Sequence, residues 1–495
     1  MTKKTRRILF FVLTILFLII APSVWFYSQG YRFDFETKKI TQTGAFYFNV
    51  FPRNVEIYLT PLDSNFFLGN PKTTKERTDF LFRSILIDNL LPKKYEVEIK
   101  KEGFHPWKKT LEIKEKIVTN AKNIVLIPKN PEPLLLSEGV QNFFVSPDSR
   151  KIILKEFETV EKKDWSLKLL ELERNLKIHL FNREDISNTK ISIIDLNFSS
   201  DSRKILLKTN LKKELKFFLI DLEKTPPRLI SLDFLGKEIN NIFFHPINNQ
   251  KLFILKNGSI FEADFIQEKI SSIILENVIF FQIINRDIYY SLDSQALAKR
   301  EEENSFSATS KNKTGFLFKT DSSFSQKEKI NKAPFPFEKN KNYKLYLFLD
   351  RIFLQENNQK LYLFDSDSKN FIHFAEANKK PKISPDLKKL SYFSNHEIEI
   401  LFLKEEIDQP QKKAGEKQLI ARFSEKIGNV FWLTAHYLIF NVEDKIKIAE
   451  IDDRDKINII NFLEFREPKI FWNNYLKRLY ILSNENFYSL ELSLP

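Results

Sequence analysis

An uncharged run, Ile8 to Tyr27, follows a basic flank of Lys3, Lys4, Arg6 and Arg7. At 1.5 Å per residue, a helix of about 20 residues spans about 30 Å, the thickness of a bilayer's hydrocarbon core. The pattern predicts a transmembrane anchor over 8–27, a cytoplasmic basic tail over 1–7, and the bulk of the chain outside. Trp25, Phe26 and Tyr27 fall where an interfacial aromatic belt belongs. A cleaved signal peptide is the competing reading, with the small residues Ser28 and Gly30 near a cleavage position. The bulky aromatics before them and the length of the apolar run favour the uncleaved anchor.

After a polar juxtamembrane segment, 28–42, the hydrophobic period changes to two. Ala45 to Val50 and Val55 to Leu59 read as strands around a turn at Pro52-Arg53-Asn54. Residues 60–79 read as a loop. Ser84 to Leu90, Tyr95 to Lys100, Thr110 to Ile113 and Ile124 to Ile127 give further short strands. The expectation for 43–127 is a small β-sandwich. Thr43-Gly44, Pro52, Val55-Glu56-Ile57-Tyr58, Leu68-Gly69-Asn70-Pro71, Leu90-Leu91-Pro92 before Tyr95-Glu96-Val97-Glu98-Ile99, and Lys101-Glu102-Gly103-Phe104 before Trp107 occur in that order. This series resembles the PEGA domain. It departs from that family at Pro52-Arg53-Asn54-Val55 and Pro92-Lys93-Lys94, and in its longer central loop. The resemblance implies an extracytoplasmic envelope sandwich with no catalytic residues to carry over. A Pro-rich linker, 128–132, then reads as a domain boundary.

From residue 141 a phrase recurs: Asn142 to Lys155, Leu196 to Lys208, Asn241 to Leu255 and Lys382 to Phe393. Each copy reads as a strand, a tight turn closed by Pro-Asp or its equivalent, and a fully apolar second strand. Third and fourth strands follow, as at Phe217 to Leu222 and Arg228 to Leu232. Weaker first strands stand at Val278, Tyr343, Val430 and Lys469. Four strands per repeat at this period predict a β-propeller over 133–495. With the polar stretch near 300–342 set aside as mostly insertion, and Gly315-Phe316-Leu317-Phe318 within it as a candidate outer strand, eight blades of about 40 residues fit better than seven of about 46. The last copy holds three strands, and Leu134 to Ser137 are available as its fourth. The Ser-Pro-Asp-x-x-Lys phrase resembles the WD-like repeats of TolB-type propellers, which implies a propeller and not an activity. The expected fold class is therefore all-β behind one membrane helix.

Composition narrows the chemistry. The chain of 495 residues has no cysteine, which removes disulfides, thiol catalysis and Cys-ligated metal. Gly is only 10, so glycine-rich nucleotide loops start at a disadvantage. Lys+Arg 78 against Asp+Glu 65 gives +13; without the anchor's four basic residues the outer part carries +9. That excess fits contact with anionic envelope polymers or lipid headgroups, but a solvated basic surface is the favoured reading. The histidines at 105, 179, 245, 373, 396 and 436 form no ligand pair at helical spacing, and His245 replaces the Ser of the repeat turn. Asp365-Ser366-Asp367 and Asp452-Asp453-Arg454-Asp455 lack the spacing of a calcium loop and read as hairpin turns. Glu301 to Glu303 and Lys379-Lys380 read as solvated charge runs. Trp107, Trp432 and Trp472 read as core, with a sugar platform as the alternative. No Gly-x-Ser-x-Gly elbow occurs.

The sequence is thus expected to encode an envelope protein acting as a non-catalytic binding or scaffolding module, with no catalytic, metal or cofactor residue and no cofactor. Its expected partners are the cytoplasmic membrane and an envelope protein or anionic polymer, with no nucleic acid. The rivals are a glycan-active enzyme with carboxylates gathered in the propeller channel, and an assembly factor that binds other envelope proteins.

Overall fold

The computed structural model describes residues 3–34, 37–62, 73–78, 82–158, 164–187, 190–292, 315–338 and 341–495. Lys3–Ser28 is one helix with no buried residue, long and apolar enough to cross a membrane. A signal sequence passes the same test. Within the polar juxtamembrane segment, Tyr31–Asp34 pairs antiparallel with Lys39–Gln42. Arg32 closes the helix end: its guanidinium lies 3.5 Å from the centroid of the Tyr27 ring and donates to the Tyr27 carbonyl at 2.8 Å. Such a cation suits the unsatisfied carbonyls of a helix C-terminus.

Two sheets follow. One is three-stranded, with Gly44–Phe51 between Ser84–Leu90 and Val118–Val125; the other orders Thr74–Arg77, Glu56–Pro61, Lys94–Lys100 and Trp107–Glu112. Alternation along Gly44–Phe51 and Lys94–Lys100 places Phe46, Phe48, Val97 and Ile99 in one core with Trp107. Two details differ from the expectation. Thr74–Arg77 is a strand inside the stretch read as loop, and the last strand, expected over Ile124 to Ile127, runs Val118–Val125 and pairs in parallel with Gly44–Phe51. Leu68–Pro71 and Glu301–Glu303 lie outside the described residues.

Eight four-stranded antiparallel sheets form the propeller. Their first strands are Val140–Val145, Ile191–Phe198, Ile239–Phe244, Val278–Ile284, Tyr343–Phe348, Lys382–Ile383, Ile427–Trp432 and Lys469–Asn473, here blades one to eight. Blade eight takes its outer strand from the start of the repeat region: Leu134–Ser137 pairs with Asn486–Glu491, and Leu135 stands opposite Tyr488. The ring is closed by strands from its two ends, as the three-strand last copy predicts. The polar stretch near 300–342 is less of an insertion than expected. Leu317–Thr320 and Lys327–Lys329 are the third and fourth strands of blade four.

The linker over 128–132 is not a free spacer. Phe104 bridges Pro128, and the Lys129 N–H donates to the Gly103 carbonyl at 2.9 Å. Just before it, Val125 and Ile127 enter the core of blades seven and eight beside Tyr437, Ile439 and Trp472. Shared apolar burial of this kind resists independent motion of the two units.

Candidate functional site

The repeat turn fixes the register of the channel wall. In five blades the turn residue donates its N–H across the hairpin: Ser146 to Lys151, Ser199 to Lys204, His245 to Lys251, Ser384 to Lys389 and Leu433 to Tyr437. In blade eight Asn473 holds the corresponding turn, accepting from the N–H groups of Tyr475 and Leu476. Side chains two apart on a strand share a face. Two residues before the turn stand Phe144, Asn197, Phe243, Lys382, Phe431 and Phe471; four before it stand Asn142, Asp195, Asn241, Lys380, Asn429 and Lys469. All of these are half-buried or exposed, whereas the residues between them, such as Phe143, Leu196, Ile242, Val430 and Ile470, are buried. The first set lines the channel and the second packs the blades.

On the side of blades six, seven, eight and one the wall is cationic and aromatic. Lys382 Nζ lies 2.9 Å from the centroid of Phe431, whose ring meets Phe471 at 5.9 Å. Lys469 Nζ donates to Asn142 Oδ1 at 2.5 Å and to the Phe143 carbonyl at 3.1 Å, and lies 4.5 Å from the Phe143 ring centroid. Lys379 Nζ donates to Asn429 Oδ1 at 2.9 Å. Asn429 is itself held by Asn441, whose Oδ1 accepts the Asn429 N–H at 2.8 Å. Gly428 makes this possible, since a Cβ there would come within 2.3 Å of Asn441 Nδ2.

Enclosure in the channel pushes the Lys382 ammonium well below the usual lysine range, and Lys379 and Lys380 push it further. Enclosure, then Lys379, brings Lys469 down to about 8. Lys379 and Lys380 are lowered by enclosure alone. Desolvation and like charge both penalise the ammonium form. Among the described residues, none of these four lysines has an ion pair.

On the side of blades two to five the wall opens into a cavity of about 830 Å³ lined by Asn197, Asn241, Phe243, Phe281, Gln282 and Lys344, among others. Gln282 bridges the blades by exchanging hydrogen bonds with the backbone of Leu345 at 2.8 and 2.7 Å. The Asp195 carboxylate is occupied locally by the Leu196 N–H and by Asn197 Nδ2, both at 2.9 Å.

The residues singled out in the sequence fall elsewhere. His245 Nδ1 accepts the N–H groups of Ile247 and Asn248, and so stands in for the turn serine. Asp365 accepts from the N–H of Ser368 at 3.0 Å within a hairpin turn. Trp107, Trp432 and Trp472 are each 4% exposed, so none presents a sugar platform. Asp452 and Asp455 meet the sandwich: the Asp452 carbonyl accepts from Lys109 Nζ at 2.5 Å, and the Asp455 carboxylate accepts the Thr110 N–H at 2.7 Å. Between sandwich and propeller lies a small cavity of about 50 Å³, lined by Trp107, Lys389, Glu406, Lys412, His436 and Glu450 among others. That has room for a few waters. Burial first, then Lys389, takes the imidazole of His436 down to about 4. Its lysines are partnered: Lys389 with Asp386 at 2.7 Å and Glu406 at 3.1 Å, Lys412 with Asp453 at 2.7 Å.

Sequence reasoning missed the channel cluster. Lys379-Lys380, expected to be a solvated run, is exposed, and the ring also sets it near Lys382 and Lys469. The available signal was the turn register, which places Lys380, Lys382 and Lys469 at wall positions once the copies are aligned.

No protein-family model and no curated protein matches the chain. Solved structures similar to it include the β-propeller domain of Myceliophteria thermophila Swd1 at 12% identity, covering 74% of this chain and 100% of that one, with a TM-score of 0.38. The Dos1 propeller is similar at 12% identity, covering 74% and 95%, with a TM-score of 0.41. A prolyl endopeptidase is similar at 11% identity, covering 71% of this chain and 55% of that one, with a TM-score of 0.39.

Proposed function

We propose that this chain is a non-catalytic binding module, held at the outer face of the cytoplasmic membrane by its N-terminal helix, with a PEGA-like sandwich as the spacer and the propeller channel as the working surface. The ligand is a component of the cell envelope. The composition of the eight innermost strands carries this reading: as described, they contain Lys344, Lys382 and Lys469 against one carboxylate, Asp195. Glycoside hydrolysis generally needs two carboxylates flanking the scissile bond. A rigid ring with an amide, aromatic and ammonium lining is suited to holding a ligand, and loops on such a scaffold vary without disturbing it. The basic flank before the helix supports an inside N-terminus.

Two measurements test it. Protease added to intact spheroplasts should remove residues beyond 42 and leave a membrane-bound stub; a protected C-terminus overturns the orientation. The full-length chain in nanodiscs should co-sediment with an isolated envelope fraction and release no soluble product from it. Turnover abolished by Asp195→Asn would replace this reading with an enzyme.

A further inference from the structure

Among the described residues, the buried lysines have carboxylate partners: Lys109 with Glu450, Lys204 with Glu223, and Lys389 with Asp386 and Glu406. Lys382, half-buried in the channel wall, has none, and three more exposed lysines without carboxylate partners line the wall with it. Lys379, Lys380, Lys382 and Lys469 lie on one arc of the wall, where their neighbours are amide oxygens, a backbone carbonyl and aromatic rings. Gathering like charges in a cleft partly shielded from water is unfavourable unless an opposite charge enters. The amide oxygens of Asn142 and Asn429 orient two of the ammonium groups but do not neutralise them.

We propose that this arc of the propeller channel is a binding site for a ligand bearing phosphate or carboxylate groups, with the four lysines as its counter-charge and Phe431 and Phe471 as an apolar wall. The proposal rests on the binding-module reading and names its ligand class. An arriving anion supplies the missing partner to several ammonium groups at once, and charge-assisted hydrogen bonds of this kind are the stronger ones. The cavity of about 830 Å³ on the other side of the same channel, with Lys344 in its lining, leaves room for further units of the same molecule, so an oligomer suits the site better than a lone ion. Lysine ammonium groups are compact donors without the planar fork of arginine, so they accept either anion.

The test uses the full-length chain in nanodiscs of uncharged-headgroup lipid, titrated with fluorescent linear polyphosphate, fluorescent oligogalacturonate and fluorescent neutral dextran. Binding of at least one anionic probe without binding of dextran is expected. The two anionic arms distinguish a phosphate polymer from an acidic sugar. The double variant Lys382→Met/Lys469→Met should lose at least about tenfold in affinity, because two charge-assisted contacts go. Lys224→Gln/Lys269→Gln, which removes the same charge from exposed outer positions, should lose less than about twofold. Failure of both anionic probes to bind, or equal losses in the two double variants, overturns the proposal. Thermal unfolding guards against a misfolded variant: polyphosphate should raise the melting temperature of the wild type and not that of the folded channel variant, and an equal rise in both overturns the site. Co-sedimentation with envelope that survives in the channel variant sinks the site and leaves the binding-module reading standing. Wild-type protein that fails to co-sediment sinks that reading itself.

Discussion

Lys109 of the sandwich reaches Glu450 of blade seven at 2.5 Å, with side chains 0% and 4% exposed. The indole N–H of Trp107 donates to the other carboxylate oxygen at 2.7 Å, and Lys109 also donates to the Asp452 carbonyl at 2.5 Å. Burial raises Glu450 above the ordinary carboxylate range, against the opposing pull of Lys109 and Trp107. A buried pair with its remaining hydrogen-bonding capacity engaged fixes orientation more than it adds stability.

Glu450→Gln is therefore expected to destabilise by about 3–5 kcal/mol, because Lys109 is left as a buried charge without its main partner. Lys109→Met with Glu450→Leu should cost less, about 1–3 kcal/mol, because no buried charge is left while the indole N–H of Trp107 loses its acceptor. Denaturant titration of the three proteins checks the order. A double variant as unstable as Glu450→Gln would mean that the pair itself supplies the stability.

Ring closure depends on backbone pairing and not on the leucines that carry it. Leu134 and Leu135 are 63% and 42% exposed, so the charge in Leu135→Asp stays in water and should cost less than about 1 kcal/mol. Ser137 is buried and donates to Glu156 of blade one at 2.7 Å, while Val140 donates its N–H to the Glu485 carbonyl at 2.7 Å. Deleting 133–137 should lower the melting temperature by several degrees, on the order of 2 kcal/mol or more, since it opens an edge in blade eight. Thermal unfolding of both variants separates the two effects.

Leu387 holds the turn of blade six with φ of 58°, and Ser149 and Ser202 adopt the same region at 59° and 58°. A Cβ is disfavoured there, and Leu387 is 49% exposed, so its side chain adds little packing. Leu387→Gly should stabilise by roughly 0.5–1 kcal/mol, measured as a shifted denaturant midpoint with an unchanged slope. A loss of stability would show that the leucine packs usefully.

The turn aspartates give an acid dependence. Burial opposes the charge of Asp148 and Asp201, but the hydroxyls of Ser146 and Ser199 and the N–H groups of Arg150 and Arg203 outweigh it and hold both below the ordinary range. Asp386 is held low likewise, against burial, by Lys389 and Ser384. With folded values below unfolded ones, the folded state binds fewer protons, so this stability is complete above about pH 4 and disappears as pH falls through the folded values. The triple variant Asp148→Asn/Asp201→Asn/Asp386→Asn should be less stable than wild type at pH 6, and the gap should narrow below pH 4. A gap constant with pH would exclude the carboxylate charges as its source.

Anion binding should weaken with both alkali and salt. Lys469, at about 8, faces Lys379, Asn142 and the Phe143 ring, and Lys382 lies along the same arc; no carboxylate acts on it. Affinity for polyphosphate should fall as pH rises through about 8, and fall again between about 0.05 and 0.5 M salt as the Debye length shrinks. The unliganded protein has the opposite linkage. Its folded lysine loses the proton before the unfolded one does, so it gains stability from pH 8 toward 10. Fluorescence titrations across pH and thermal scans without ligand check the two signs.

The sequence by itself determined the elements whose cause is local. The helix follows from an unbroken apolar run, the sandwich strands from period-two alternation, and the blades from a turn phrase in which Ser146, Asp148 and their counterparts bond within a few residues. Even ring closure was legible, because the strand count in the last copy was short by one. Tertiary structure alone decided what the wall of the ring does. Lys382 and Lys469 are 87 positions apart and share one wall because the first strands of successive blades stand around a common axis. Lys109 and Glu450 are 341 positions apart and pair because the sandwich docks on blade seven. Strand Thr74–Arg77, rich in charge and mostly exposed, gave no hydrophobic period to read; pairing with Glu56–Pro61 made it a strand. Local patterning specifies which segments fold and which face each hides. Which charges share a cleft depends on the register and closure of the whole ring, and no window of sequence contains that.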